Sequence, residues 1–536
     1  MPRRVSVDET ILHAWPSQGL APEAVWDALV VGGGVNGCGI ARDLAGRGLR
    51  VLLCEQHDLG AHTSSASTKL VHGGLRYLEF HEFSLVRKAL QERERLLASA
   101  PHIMGALRLF VPHDPQLRSL WTLRAGLWLY DHLARRRWLP GSRTVDLARE
   151  AAGCSLRPQW HTGFAYSDGW VDDARLVVLN AMDAAERGAC VLTRTRVGAL
   201  RREGDAWRAE LHGDDGRLEV RARSLVNAAG PWAQQLARCA DVNSRRQLRL
   251  VKGSHIVVRR WAPMQQAWLL QNEDRRVVFV IPYGDAHLLI GTTDVSYDGD
   301  PGTPRISEEE IAYLCDSVRR YFDVDLGAPD IVWSYSGVRP LLDDHAADPS
   351  AVTRDYLLEL DTDGASLLNV WGGKITTYRL LAEQAADRLA PLLGCRRRAW
   401  TAHAVLPGGD LYAELGRMRA GPRDLAEFEA RLEAQYAWMP RALLQRLARA
   451  YGTRLLRWLD GAGSAEDLGE QIAPGVFEAE LRYAAQNEWA RSGEDFLWRR
   501  SKCGLDLSAP ECDAVAAWFE RHATRAVVPA IPGDSL

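Results

Sequence analysis

Residues 28–55 read ALVVGGGVNGCGIARDLAGRGLRVLLCE, and no other stretch limits the fold so strongly. An apolar run at 28–31 meets Gly32, Gly34 and Gly37 in G-x-G-x-x-G spacing. A helical segment follows, then a second apolar run at 51–53 that ends in Glu55. Each part has a job in dinucleotide binding. Gly32 permits a tight turn, Gly34 lets the backbone approach a pyrophosphate, and Gly37 lets helix and strand pack closely. The helix N-terminus offers unpaired N–H groups and positive dipole to the anion. Glu55 stands 18 residues past Gly37, where a carboxylate accepts hydrogen bonds from the adenosine ribose. Strand, glycines, helix, strand and acid in this order point to a βαβ dinucleotide unit.

That unit does not choose between a nicotinamide and a flavin; two later elements do. The turn NAAGPW at 227–232 ends a strand, and Gly372-Gly373 precede a helix in WGGKITTYR. A nicotinamide usually needs only the first element. A flavin held extended needs further backbone contacts along its ribityl chain and at its ring. The helix N-terminus beyond Gly373, with Lys374, suits an anionic reduced flavin. The loop 64–69, SSASTK, offers hydroxyls and N–H groups to pyrophosphate or ribityl oxygens.

At 536 residues the chain can build two or three domains. A net charge of −3 gives no global pull toward nucleic acid, so no nucleic-acid partner is expected. Nine cysteines are scattered without a C-x-x-C pair, which fits a reducing compartment and no metal site. The first 26 residues lack an apolar core of signal-peptide length, and no apolar run reaches a membrane span. Strand-like runs at 249–258, 277–282 and 287–291 predict a second, largely antiparallel sheet, and residues 411–536 read as mostly helical.

The stretches TSSASTKLVHGGLRYLE, DGWVDDARL, LVNAAGPW, KGSHIVV, IGTTDV, YSGVRPLL, TRDY, WGGKITTYR and LWRRSKCGL accompany the fingerprint in order, from about 27 to 504. On these the chain resembles the FAD-dependent glycerol-3-phosphate dehydrogenases, a branch of the D-amino-acid-oxidase-like flavoproteins. The resemblance implies an α/β fold with a Rossmann-like FAD-binding domain, a mainly antiparallel substrate (cap) domain and a C-terminal helical domain. The FAD-dependent region would span 25–407, with cofactor parts near 25–100, 150–245 and 335–407 and cap parts near 101–149 and 246–334. The helical domain would span 408–536, serving dimer contact or domain stabilisation, so a homodimer is expected. FAD would be bound non-covalently by Gly32, Gly34, Asn36, Gly37 and Glu55 and by Ser64, Ser65, Ser67, Lys69 and Gly73. Gly230, Trp232, Gly337, Gly373, Lys374, Ile375 and Thr376 complete that set.

The reaction implied is oxidation of sn-glycerol 3-phosphate to dihydroxyacetone phosphate, with electrons leaving to a respiratory quinone. Such an enzyme would sit peripherally on the inner face of the cytoplasmic membrane. An oxidase using oxygen, and an idle flavin-binding subunit, are the competing readings. A small dianion with a reacting alcohol calls for guanidinium groups and a base. Arg76, Arg339 and Arg354 stand in the matching motifs as phosphate ligands, with Tyr77 and Thr293 as hydrogen-bonding partners. His255 is the candidate base, because its neutral imidazole can accept a proton; a strand histidine satisfied in the core is the other reading. Arg339 is its rival, acting by polarising the C2 oxygen, and Lys374 serves flavin, substrate or both. Residues 118–138 interleave Trp121, Trp128, Tyr130 and Trp138 with five arginines, as an interfacial helix on anionic lipid would.

Overall fold

In the computed structural model, residues 25–150, 153, 155–214, 216–242, 246–343, 355–416 and 421–522 are described. The strand Val25–Val31 runs buried into Gly32, whose φ of +112° places it in the left-handed region. A Cβ on Gly32 would stand 2.4 Å from the Ala228 carbonyl oxygen, and one on Gly37 would stand 1.9 Å from that of Gly32. Gly37 therefore sets how closely the helix Val35–Gly46 returns over its strand, and Gly32 how closely that strand's turn meets the backbone at Ala228. That helix packs between the helices Asp173–Glu186 and Tyr378–Leu389.

Five parallel strands form the centre of the first sheet, in the order Ser366–Trp371, Gly216–Asn227, Val25–Val31, Val51–Cys54, Cys190–Leu192. Their near-continuous apolar runs reflect burial on both faces. Leu357–Asp361 adds an antiparallel edge, and Thr195–Glu203 with Ala206–Gly213 extends Gly216–Asn227 as a meander.

The second sheet has ten strands and is mainly antiparallel, as expected. Its spine is the pairing of Leu248–Arg259 with Ile331–Leu342, which sets His255 opposite Tyr335 and Val251 opposite Arg339. One pair is parallel, Ala267–Gln271 with Met104–Pro112. Leu70–Val71 and Thr162–Val171, whose positions fall in stretches expected to serve the cofactor part, hydrogen-bond into this second sheet. Ile331–Leu342 likewise crosses the expected boundary at 334/335. Periodicity marks these runs as strands but carries no information on which sheet receives them.

The C-terminal region contains the helices Asp424–Gln435, Arg441–Tyr451, Glu478–Glu488 and Ala509–His522, with a small hairpin, Gln471–Ala473 and Val476–Phe477. It shares a continuous apolar core with the cofactor-side helices. A buried fork from Arg175 to Glu488, at 2.5 and 2.8 Å, ties the two together. The cysteines among the described residues form no disulfide. Among the described residues, no helix is long and apolar enough to cross a membrane.

The helix expected within 118–138 is shorter in the structure, Leu120–His132, started by the Ser119 side chain accepting from the Thr122 N–H. Leu127 and Tyr130 face inward, while Trp121 and Trp128 are 74% and 61% exposed.

Candidate active site

All three glycine turns open onto one cavity of about 1010 Å³. Gly32, Gly34, Asn36 and Glu55 line it from the fingerprint. Ser64, Ser67, Gly230, Trp232 and Gly337 line it from the surrounding loops, and Gly373, Lys374, Ile375 and Thr376 from the last turn. Arg76, Tyr77 and Arg339 share the same space. Arg354 lies outside the described residues.

Glu55 is poised by backbone. One carboxylate oxygen accepts the Gly33 N–H at 2.6 Å and the other the His57 N–H at 2.8 Å. Burial pushes its pKa up to about 7, opposed by those N–H bonds. Each oxygen keeps a lone pair for a ribose hydroxyl. Asn36 donates to the Gly372 carbonyl at 3.3 Å, joining the first turn to the last. Its own Oδ1 is buried and meets no partner among the described residues. An acceptor of this kind, beside a helix N-terminus and three glycine turns, fits a dinucleotide with donor groups of its own.

Several expected cofactor contacts turn inward instead. Lys69 is 1% exposed, and its ammonium sits 2.8 Å from both oxygens of Asp173 and 2.6 Å from the Ser65 carbonyl. A buried cation needs such a counter-charge, so Lys69 braces the loop rather than lining the cavity. Ser67 reaches the cavity wall, but its Oγ donates to Asp173 at 2.7 Å. Ser64 Oγ accepts the Val35 N–H at 3.0 Å and caps the fingerprint helix, whose N-cap glycine has no side chain. Ser65 donates to the His62 carbonyl at 3.3 Å. The Gly73 N–H donates to Tyr130 Oη at 2.8 Å, and that hydroxyl donates to Asp168, which pairs with Arg93 at 2.6 Å. Gly37 serves helix packing. Gly37, Ser65, Lys69 and Gly73 do not line the cavity.

On the substrate side, Thr293 is likewise turned away. Its hydroxyl accepts the Ser254 N–H at 2.9 Å and donates to Glu310 at 2.7 Å, and the residue is 1% exposed. Its neighbours Thr292 and Asp294 face the cavity instead. They hold Arg339: one guanidinium nitrogen donates to Asp294, the other to Thr292 Oγ1 at 2.9 Å. The Lys374 ammonium lies 3.7 Å from the centroid of the Tyr77 ring. That ring in turn rests on Gly74, where a Cβ would come within 2.0 Å of it.

His255 is fully buried and does not line the cavity. Its ring stacks on Tyr335 with centroids 4.8 Å apart, and its Nε2 lies 3.0 Å from Thr68 Oγ1. Thr68 does line the cavity. Burial, followed by the charges of Arg339 and Lys69, holds the imidazole pKa well below 6.5. The ring is therefore neutral at physiological pH. Sequence reasoning passed over Thr68, Thr292 and Asp294, although Thr68 belongs to the serine-rich loop and the other two flank Thr293 in IGTTDV.

Residues 27–379 match the family model of the FAD dependent oxidoreductases, and residues 399–522 match the C-terminal domain of alpha-glycerophosphate oxidase. The chain is 52% identical to a glycerol-3-phosphate dehydrogenase of Pseudomonas aeruginosa, over 92% of its own length and 94% of the relative's. It is 48% identical to a D-erythritol 1-phosphate dehydrogenase of Brucella abortus, covering 94% of this chain and 99% of that one. The crystal structure of the glycerol-3-phosphate dehydrogenase from Bacillus halodurans, complexed with FAD, superimposes with a TM-score of 0.72. That pair is 25% identical, covering 96% of this chain and 97% of the other. The chain belongs to the FAD-dependent oxidoreductase family, in the branch that carries the C-terminal domain of alpha-glycerophosphate oxidase.

Proposed function

We propose that the protein oxidises sn-glycerol 3-phosphate to dihydroxyacetone phosphate and delivers the electrons to a quinone at a membrane surface. The observation that carries this reading is the convergence of Arg76, Arg339 and Lys374 on the cavity that also holds Glu55 and the glycine fingerprint. Cations in that number suit a phosphate dianion and a developing alkoxide. Bound FAD supplies the hydride acceptor, N5 of its ring. Arg76 and Arg339 bind the substrate, and Arg339 polarises the C2 oxygen from a fork held still by Asp294 and Thr292. Thr68 gives the buried His255 a route to the substrate: its hydroxyl donates to the neutral Nε2, leaving its oxygen, on the cavity wall, to accept from the C2 hydroxyl. The C2 hydroxyl proton leaves along that pair. Lys374, four residues before the helix start at Tyr378, would offset the negative charge that a bound flavin gains on reduction.

Membrane docking is supported by Leu120–His132. Its exposed Trp121 and Trp128 lie on one helix with Arg124, whose guanidinium stands 5.6 Å from the Trp121 ring. Aromatic anchors beside cations suit an anionic bilayer surface. Thr122, Leu123, Gly126 and Leu129 of this helix also line the cavity, which would bring a quinone and the flavin to one opening.

Anaerobic titration of the holoenzyme tests the reaction. Glycerol 3-phosphate should bleach the flavin, while glycerol, lacking the phosphate, should bleach it far more slowly. Bleaching by neither would leave an idle flavoprotein, and faster bleaching by D-erythritol 1-phosphate would move the substrate to a longer polyol phosphate. Peroxide release in air at the quinone-linked rate would make it an oxidase.

A further inference from the structure

The motif LWRRSKCGL, at residues 497–505, has no part in the chemistry above, yet both its arginines are buried, Arg500 completely. They sit on a single π-helical turn, Asp495–Arg500, closed by the Ser501 N–H donating to the Phe496 carbonyl at 2.9 Å. Such wide turns are rare and often mark functional positions. Arg500 forks onto Asp58 at 2.6 and 2.7 Å, and Arg499 adds a bond to the same carboxylate at 2.6 Å. Arg500 and Asp58 are 442 residues apart in the chain.

Asp58 lies in the middle of the loop that begins at Glu55. Two bonds tie that loop to the fingerprint: Glu55 accepts the Gly33 N–H at 2.6 Å, and the Gly60 N–H donates to the Gly33 carbonyl at 3.0 Å. From the other side, Arg194 donates its backbone N–H to the His57 carbonyl at 2.8 Å. Its guanidinium bonds Asp495 at 2.6 Å, and Asp495 also receives Arg499 at 2.6 Å. Neither Arg499 nor Arg500 lines the cavity. They bear on the cavity through the loop they hold.

We propose that the Asp495–Arg500 turn is a positioning element for FAD: it fixes the 55–60 loop from behind, so that the C-terminal region governs how tightly the adenosine half is held. The inference rests on the reading of Glu55 as the ribose acceptor. It assigns the C-terminal region a part in cofactor retention besides any in dimer contact or domain stability. A clamp at this loop acts on the AMP half alone. FMN, which lacks that half, should not sense it.

The test measures dissociation constants of FAD and FMN for full-length apoprotein, by quenching of flavin fluorescence. Arg500→Gln should weaken FAD on the order of tenfold or more, the loss of a charge-assisted bond, while FMN changes by less than about twofold. Equal weakening of both flavins, or no change in FAD, would overturn the proposal and leave the arginines as adhesive between domains. Glu55→Gln separates the two layers of the argument. If it leaves FAD binding unchanged, the reading of Glu55 fails and the clamp with it. If Glu55→Gln weakens FAD and Arg500→Gln does not, only the clamp fails. Should Arg500→Gln not fold, Asp58→Asn keeps the loop's shape and an acceptor oxygen, and the same FAD-to-FMN ratio decides.

Discussion

Asp294→Asn isolates what orients Arg339. Among the described residues the guanidinium bonds the Asp294 carboxylate and the Thr292 hydroxyl, the latter at 2.9 Å, and its side chain is 23% exposed against 13% for Asp294. A charge-assisted bond contributes roughly 1.5–3 kcal/mol and a neutral one roughly 0.5–1.5. Asparagine still accepts a bond from the charged guanidinium but removes the opposing charge, so the orientation should loosen by about 1–2 kcal/mol, toward the lower figure because water reaches the pair. If Arg339 polarises the C2 oxygen mainly in the transition state, that loss falls on the rate and slows flavin reduction about 5- to 30-fold. Binding should move the other way. Deleting a negative charge beside the site leaves more net positive charge for the phosphate, so the apparent substrate Kd should hold or fall. Stopped-flow reduction of the anaerobic holoenzyme across substrate concentration reads both quantities. A raised Kd with an unchanged limiting rate would refute this reasoning and make Arg339 a phosphate grip. No change in either would show that Asp294 does not orient it.

If His255 is the base, His255→Ala should slow flavin reduction by about 10²–10⁴, and Thr68→Val should reproduce most of that loss in the same stopped-flow assay; a normal rate in Thr68→Val would sever the route. His102 is 2% exposed, neither ring nitrogen finds a partner among the described residues, and burial, then Arg175 and Arg454, lower its pKa to about 3. Below pH ~6.5 the unfolded chain gains a proton that the folded one refuses, so stability should fall from there toward pH 3, by about 2 kcal/mol from this residue at pH 5. Urea unfolding at pH 7 and 5 should show a smaller drop in His102→Leu; an equal drop would assign the acid sensitivity elsewhere. Replacing both Trp121 and Trp128 by Ser should weaken sedimentation with anionic vesicles about tenfold or more, and undiminished sedimentation would place the docking surface on another face.

What the sequence made legible is what sterics and chain order dictate. The Ala228 carbonyl that bars a Cβ on Gly32, at 2.4 Å, is remote in sequence, but Gly37 could be read from spacing alone because its neighbour, the Gly32 carbonyl oxygen, lies within the same βαβ unit, 1.9 Å from an added Cβ. Glu55 was legible for the same reason: its partner, Gly33, is 22 residues away on the adjoining turn. Side-chain direction at the end of a strand was not. Successive residues there point to opposite faces, so choosing Thr293 instead of Thr292 or Asp294 put the hydroxyl in the Glu310 network instead of the cavity. Lys69 misled because an ammonium in a serine-rich loop looks like a phosphate ligand until Asp173, 104 residues on, is seen to neutralise it. His255 could be recognised as chemically apt, but its depth behind Thr68 follows from the pairing of Leu248–Arg259 with Ile331–Leu342, which stacks Tyr335 over the ring. These cases share a cause. The cavity is lined by loops whose outward faces carry the expected residues, while these loops are fixed from behind by a charge or hydroxyl remote in sequence: Asp173 for Ser67, Tyr130 for Gly73, Arg500 for Asp58. A motif displays the face toward the ligand. The support behind it exists only once the chain has folded, which is why the arginines of LWRRSKCGL could be seen in the sequence but not understood from it.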